Sequence, residues 1–136
     1  MDVFSKLPLQ GTKLTLSEEV LGLHQGIRTV LITKEEDADW MMIEEAIRPG
    51  ITLLENSREE ARAQLKIAPA ILIGAADAIK GKAGPVQIVA VVYENISALF
   101  AALDSPIHQM LCLTVERDAS EEVMQVLRRA LPKLKK

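Results

Sequence analysis

The feature that most constrains the fold is a series of short apolar runs separated by turn residues. They are RTVLIT (28–33), ITLLE (51–55), AILIG (70–74), VQIVAVVY (86–93) and HQMLCLTVE (108–116). Runs of this length, rich in Val, Ile and Leu, are typical of β-strands. The run at 70–74 also fits a buried helix continuing through residues 75–79, because periodicity alone does not separate the two in a short apolar run.

The segments between these runs carry helix signals, namely capping residues and apolar positions three or four apart. Helices are predicted over residues 15–24, 34–48, 57–68 and 94–105, with Thr15 or Ser17, Thr33, Ser57 and Asn95 as caps. A last helix, capped by Asp118 or Ser120, is predicted with Val123, Val126, Leu127 and Ala130 on its inner face, followed by a solvated basic tail over residues 131–136. Strands alternating with helices predict an α/β or α+β domain around one sheet, and we take it as an α/β domain with one central sheet flanked by helices. Two arrangements fit this pattern, an α/β sandwich and a flavodoxin-like, doubly wound sheet of five parallel strands with the 70–74 run in its middle.

Size and charge limit the functions that need consideration. The 136 residues, 49% of them hydrophobic, predict a single domain spanning residues 1–136, with 1–13 as an N-terminal arm or edge strand. A net charge of −3 and 3% aromatic residues give no general attraction to nucleic acid. No apolar run is long enough to span a bilayer and the N-terminus lacks the pattern of a signal peptide, so we expect a cytoplasmic protein without membrane contacts.

Catalytic and cofactor motifs find no match in the turns between the predicted elements. No turn reads GxGxxG, Gly81-Lys82 lacks the other residues of a phosphate-binding loop, and AILIG ends in Gly74 rather than a phosphoacceptor aspartate. The single cysteine, Cys112, lies in an apolar run typical of a buried side chain, and neither it nor a serine is matched with a histidine. We therefore predict a non-enzymatic protein without a cofactor or metal. Trp40, Met41 and Met42, at helical spacing, indicate core or a subunit interface.

Several of these segments resemble parts of one known protein family. VAVVYENISALFAALDS resembles the strand, turn and alanine-rich helix of bacterial microcompartment shell proteins, although Glu94-Asn95-Ile96 replaces the family's glycine-containing turn. IRTVLITKEEDADWMMIEEAIRPGITLLE is similar to that family's first strand, long helix and second strand, and HQMLCLTVERD to a later strand. The resemblance implies a shell-like subunit of a homo-oligomer, with residues 57–84 as an insertion in the loop that lines the pore.

The shell resemblance and the doubly wound alternative each imply their own site residues. The shell resemblance implies that Arg48 lies at a subunit edge and that Lys80, Gly81 and Lys82 lie near the pore. The doubly wound alternative is a small domain that binds a small-molecule ligand or a protein partner in regulation. It places a ligand at the strand ends marked by Thr33, Gly74 and Tyr93, because such sheets bind ligands at the carboxyl ends of their strands. Tyr93-Glu94-Asn95 is accordingly either a structural corner or part of a ligand site.

Overall fold

The structure is a computed structural model that describes residues 14–51, 67–74, 86–104 and 107–134. In chain order its elements are α1 (Leu16–Leu21), β1 (Ile27–Glu36), β2 (Asp39–Ile47), α2 (described over 67–74), β3 (Val89–Val92), β4 (Ile96–Ala102), β5 (Gln109–Glu116), a 3₁₀ turn (Arg117–Ala119) and α3 (Ser120–Leu134). The strands form one five-stranded sheet in the order β2-β1-β5-β4-β3.

The predicted fold class, one sheet flanked by helices, is confirmed, but the parallel, doubly wound alternative is wrong. Every pairing in the sheet is antiparallel. The β1–β2 and β3–β4 connections are tight hairpins, and hairpins join antiparallel neighbours without a crossover helix. The sheet therefore lacks the common carboxyl-terminal edge on which a doubly wound sheet binds its ligands.

Alternation of side chains along the strands gives the sheet two apolar faces. On the first, which we call the α1–α3 face, buried residues of β1, β4 and β5 pack against helices α1 and α3. The strand residues are Val30, Ile32, Leu99, Leu111 and Leu113, and the helix residues are Val20, Val123 and Leu127. On the second, the α2 face, strand residues pack against Ala68 and Leu72 of α2. These strand residues are Leu31, Ala98, Phe100, Met110 and Cys112. The core therefore lies in two layers on either side of the sheet.

The segment predicted as a helix over 34–48 is instead strand β2, and its capping box does not form. Asp37 and Ala38 have positive φ values of 54° and 64°, and Glu36 pairs with Asp39 across them. Two consecutive left-handed residues form the turn that matches the twist of a two-residue hairpin. Thr33, the expected cap, lies inside β1 and is fully buried.

Strand β4 was also predicted as a helix, and the reason is its burial. Six of its seven residues are buried, so the strand has no polar face. A strand covered on both faces has a continuous apolar sequence, which does not show the two-residue period of a half-exposed strand. With three alanines among its residues, Ile96–Ala102 then resembles an alanine-rich helix.

The remaining sequence predictions divide by position. Helix α1 is confirmed with Thr15 as its N-cap, in a capping box with Glu18, and the strands at 28–33, 86–93 and 108–116 are confirmed in their central residues. The final helix is confirmed as α3. Residues 70–74 are helical, so the strand prediction there is wrong and the helical alternative is right over these residues; its continuation through 75–79 lies outside the described residues. The strand at 51–55 and most of the helix at 57–68 lie outside the described residues.

Candidate interaction surfaces at the sheet edges

Three of the four predicted pore or ligand residues, Lys80, Gly81 and Lys82, lie outside the described residues. Gly74 is exposed at the end of the described part of α2, and a Cβ added there would meet no atom within 4 Å. Neither its packing nor its position therefore requires glycine. Gly74 lies in a helix, Thr33 inside β1 and Tyr93 in the β3–β4 turn, so these three residues do not mark the ends of parallel strands.

Arg48, predicted at a subunit edge, binds backbone atoms of its own chain. Its Nε donates to the Ile27 carbonyl at 2.7 Å, and its Nη2 donates to the carbonyls of Leu21 and His24 at 2.6 and 2.8 Å. Leu21 is the last residue of α1, where carbonyls have no partner within the helix. The guanidinium thus joins the end of α1 to the start of β1; a subunit contact by Arg48 stays a prediction.

The corner at Tyr93-Glu94-Asn95 is the β3–β4 hairpin turn. The Tyr93 amide donates to the Ile96 carbonyl at 2.9 Å, and the Arg117 guanidinium donates to the Glu94 carbonyl at 2.8 Å. These contacts give the turn a structural role. They also fix which groups of β3 face inward, because donors alternate along an antiparallel strand.

The titratable side chains form pairs rather than a cluster. His24 Nε2 lies 2.5 Å from a Glu122 carboxylate oxygen, and His108 Nδ1 lies 2.9 Å from Glu35 Oε1. Burial raises the pKa of the Cys112 thiol to about 12, which removes the thiolate needed for nucleophilic chemistry near neutral pH. Within the described ranges no group of three His, Cys, Asp or Glu side chains is arranged to hold a metal ion.

Exposed apolar side chains are concentrated at the two edges of the sheet and on α2. In the described residues, the large hydrophobic side chains that are exposed are Leu14, Met41, Met42, Ile43, Ile47, Ile67, Ile73, Val92 and Tyr93. All but Leu14 lie on β2, on α2 or at β3. Apolar groups gathered on one part of a surface, rather than scattered singly, mark sites of interaction.

The β3 edge, which is four residues long, lacks two of the features that normally keep a sheet edge from pairing. Residues 86–93 contain no charged side chain and no proline. Because Tyr93 N–H points to β4, the N–H groups of Ala90 and Val92 point away from it. Val92 is 59% exposed. An uncharged, unbulged edge strand whose outward N–H groups bond no other described residue is a template for another strand.

The β2 edge differs from the β3 edge in both backbone and charge. Its pairing with β1 shifts register between Ile32 and Thr33, so Ile43 is an extra residue without a partner, which makes a β-bulge. Glu44 and Glu45 follow the bulge, and Asp37 and Asp39 lie at the hairpin turn. Bulges and charged side chains are the devices that prevent edge-to-edge pairing.

Helix α2 has apolar residues on both its inner and outer sides. Ala68 and Leu72 are buried in the α2-face core, whereas Ile67 and Ile73 are 55% and 41% exposed. A helix that is apolar all around is normally buried on all sides. Its outer side and the neighbouring β3 edge are the features that the sequence prediction missed; the uncharged stretch 86–93 was the available signal.

Comparison with known proteins supports the fold. No family model and no curated protein matches the chain. Among solved structures, MglC from Myxococcus xanthus matches with a TM-score of 0.56 and 18% identity, covering 88% of this chain and 92% of that one. A structure described as MglB with tetrameric arrangement matches with 0.60 and 13% (94% and 93% covered). A Roadblock/LC7 domain from Streptomyces avermitilis matches with 0.55 and 13% (90% and 98%).

These neighbours correct the family resemblance drawn from the sequence. The chain has the fold of the Roadblock/LC7 domain and the Mgl proteins, so its likeness to microcompartment shell proteins is wrong. Within the segment VAVVYENISALFAALDS, residues 89–102 form a β-hairpin rather than a strand followed by a helix. No helix in the described part of the chain is long and apolar enough to cross a membrane.

Proposed function

We propose that this chain is a non-enzymatic protein-interaction domain that self-associates through strand β3 and the outer side of α2, and that binds a protein partner in a regulatory role. The observation that carries the proposal is the uncharged edge of residues 86–93. The fold shared with the Roadblock/LC7 domain and with an MglB described in a tetrameric arrangement supports an assembling domain over a shell subunit.

The geometry of β3 favours a second copy of the chain as the strand that pairs with it. Two antiparallel β3 strands related by a two-fold axis would place the same residues opposite each other, so one surface serves both subunits. Val89 and Val91 pack on the α2 face, beside Ala68 and Leu72 of α2. Pairing at β3 would therefore bring the two α2 helices together on one side of the joined sheet, where Ile67 and Ile73 are available to pack.

Self-association is tested by measuring mass with light scattering behind a sizing column over a wide range of protein concentration. We expect a dimer or larger species for the wild-type protein. Ala90→Pro removes a donor that points away from β4, and Val92→Lys places a charge at an exposed position, so both variants should be monomers with an unchanged far-UV circular dichroism spectrum. Gln125→Lys, an exposed position on α3, is the matched charge control and should associate like the wild type.

Two results would refute the proposal. One is a wild-type protein that remains monomeric at the highest concentration. The other is association that persists unchanged in both β3 variants, which would place the interface elsewhere.

A further inference from the structure

The α2 face of strand β2 carries an apolar surface that the self-association proposed above does not use. We define the β2 surface as Trp40, Met42, Glu45 and Ile47. The register places these side chains on one face, because Met42, Glu45 and Ile47 are opposite Thr33, Leu31 and Thr29 of β1. Those β1 residues are in turn opposite Met110, Cys112 and Thr114 of β5. Met42 and Ile47 are 46% and 42% exposed.

The two faces of β2 are covered differently. On the α1–α3 face, α1 packs against β1 and β2, and the Ser17 amide donates to Glu44 Oε1 at 2.6 Å. On the α2 face, Trp40 packs against the core beneath α2, while Met42 and Ile47 farther along the strand remain exposed. Among the described residues, the β2 surface is therefore the uncovered counterpart, on the α2 face of the strand, of the region that α1 covers on the α1–α3 face.

The charges beside the β2 surface are carboxylates. On the same face, Glu45 lies between Met42 and Ile47, Glu35 is opposite Trp40, and Asp37 lies in the hairpin turn; Glu36 and Asp39 are opposite each other and lie on the other face. Glu35 already pairs with His108, whereas Glu45 forms no ion pair with another described residue. Lys34, the one basic residue between positions 29 and 47, is opposite Met41 and so lies on the other face.

Shape and charge together select the class of partner. Another strand is disfavoured at β2 because the bulge at Ile43 interrupts the ladder of backbone groups. A helix needs only side-chain contact, and flexible methionine side chains adapt to a packed helix. The Glu45 carboxylate in the middle of this surface favours a helix whose apolar stripe is flanked by Lys and Arg, through attraction between opposite charges.

A second copy of this chain does not supply such a helix from its described residues. Helix α3 carries Arg128, Arg129 and Lys133, but its large apolar residues Val123, Leu127 and Leu131 are buried in its own core. We infer that the β2 surface binds a basic amphipathic helix of a different protein. This inference deepens the proposed function by naming the chemistry of its partner, and rests on it only in treating the chain as a protein-interaction domain.

A designed peptide tests the inference in the full chain. The probe has about 15 residues, near the length at which isolated helices begin to form. Its leucines recur at i, i+3, i+4 and i+7, and Lys and Arg flank them. One control has Glu in place of every Lys and Arg, and another has the basic peptide's residues in scrambled order. Binding is followed by the emission of Trp40, the only tryptophan, and by NMR of ¹³C-methyl methionine.

The expected result is specific in position and in charge. The Met42 methyl signal should shift more than that of Met41 on the opposite face, while Met110 in the core and Met124 on α3 should not move. Ile47→Lys should weaken binding by at least about tenfold, as truncation of a central apolar contact does. The Glu-flanked and scrambled peptides should bind at least about tenfold more weakly, because electrostatic complementarity and an ordered apolar stripe are both lost.

The Val92→Lys variant separates this inference from self-association. It should abolish self-association and leave peptide affinity unchanged, since Val92 is on the opposite edge of the sheet. Equal binding of the basic and Glu-flanked peptides would overturn the inference, as would a Met42 signal that does not move or an affinity that Ile47→Lys leaves unchanged. Peptide binding by a wild-type protein that is monomeric would refute only the self-association.

Discussion

Replacing Arg48 tests whether this side chain stabilises its own subunit or a contact between subunits. The wild-type guanidinium donates to three backbone carbonyls, those of Leu21, His24 and Ile27. Arg48→Met keeps the aliphatic length and removes all three hydrogen bonds. The Leu21 carbonyl, at the end of α1, then loses the partner that satisfies it.

The magnitude follows from the kind of hydrogen bond that is lost. A hydrogen bond to a charged group contributes about 1.5–3 kcal/mol, and three bonds from one group are not additive. Arg48 is half-buried, so water can reach part of the vacated space. We therefore expect Arg48→Met to lower the free energy of unfolding by about 3 kcal/mol, and Tm by about 10 °C in a domain of this size. Arg48→Lys should cost less, because an ammonium keeps the charge but cannot reach all three carbonyls.

The assay is denaturant unfolding followed by circular dichroism, repeated at several protein concentrations. If the role of Arg48 is intramolecular, the difference in unfolding free energy between wild type and Arg48→Met should be the same at every concentration. Stability should fall in the order wild type, Arg48→Lys, Arg48→Met. The reasoning is refuted if Arg48→Met unfolds like the wild type. A loss that appears only as a change in mass, with the unfolding of the subunit itself unaffected, would support instead the predicted subunit edge.

Two further predictions concern the backbone and the buried thiol. Ala38 has a φ of 64°, so Ala38→Gly should raise the free energy of unfolding by about 0.5–1 kcal/mol. Gly50 has a φ of 82° and open space around it among the described residues, so Gly50→Ala should lower the free energy of unfolding by a similar amount. Equal unfolding midpoints for the two variants would contradict the turn geometry. Burial raises the pKa of the Cys112 thiol to about 12, so this thiol should react with a thiol reagent only as fast as the protein unfolds. Above about pH 9 Cys112 should reduce the stability of the fold, because the thiol then ionises in the unfolded chain while the folded protein keeps it protonated. Rapid labelling of the native protein, or a Cys112→Ala variant with the same loss of stability at high pH, would refute this.

The sequence identified the strands with clear composition signals, including β1 and β5 whose central residues are buried on both faces, and the helices with clear caps. Strand β1 and helix α1 were predicted because β-branched residues and a complete capping box are local signals. Strand β4 was missed because its environment is determined by distant elements: α3 covers one face and α2 the other, and neither is visible in residues 94–105. Burial on both sides removed the period that would have identified a strand, as it also did in β1, but the three alanines of β4 removed as well the β-branched composition by which β1 was identified.

Strand β2 failed for a different reason, which is the ambiguity of acidic residues. Glu35 and Glu36 after Thr33 match the pattern that begins a helix, but here they precede a hairpin turn. The turn uses Asp37-Ala38 rather than the usual Asp-Gly, so the strongest hairpin signal was absent. The candidate surfaces could be predicted only in part, since an interface at Trp40, Met41 and Met42 was considered, but on a helix instead of an edge strand.

The contrast between the two edges bears on how an assembly would end. A sheet with two open edges can add subunits without limit, whereas one open edge is used up when two copies pair about a two-fold axis. Here β2 is bulged at Ile43 and lined by Glu44 and Glu45, while residues 86–93 carry no charge. If β3 pairs as proposed, the joined sheet would have a β2 strand at each end and would not extend further by edge pairing. Any larger assembly would then require a surface other than the sheet edges and other than Ile67 and Ile73, which the two paired α2 helices would already cover.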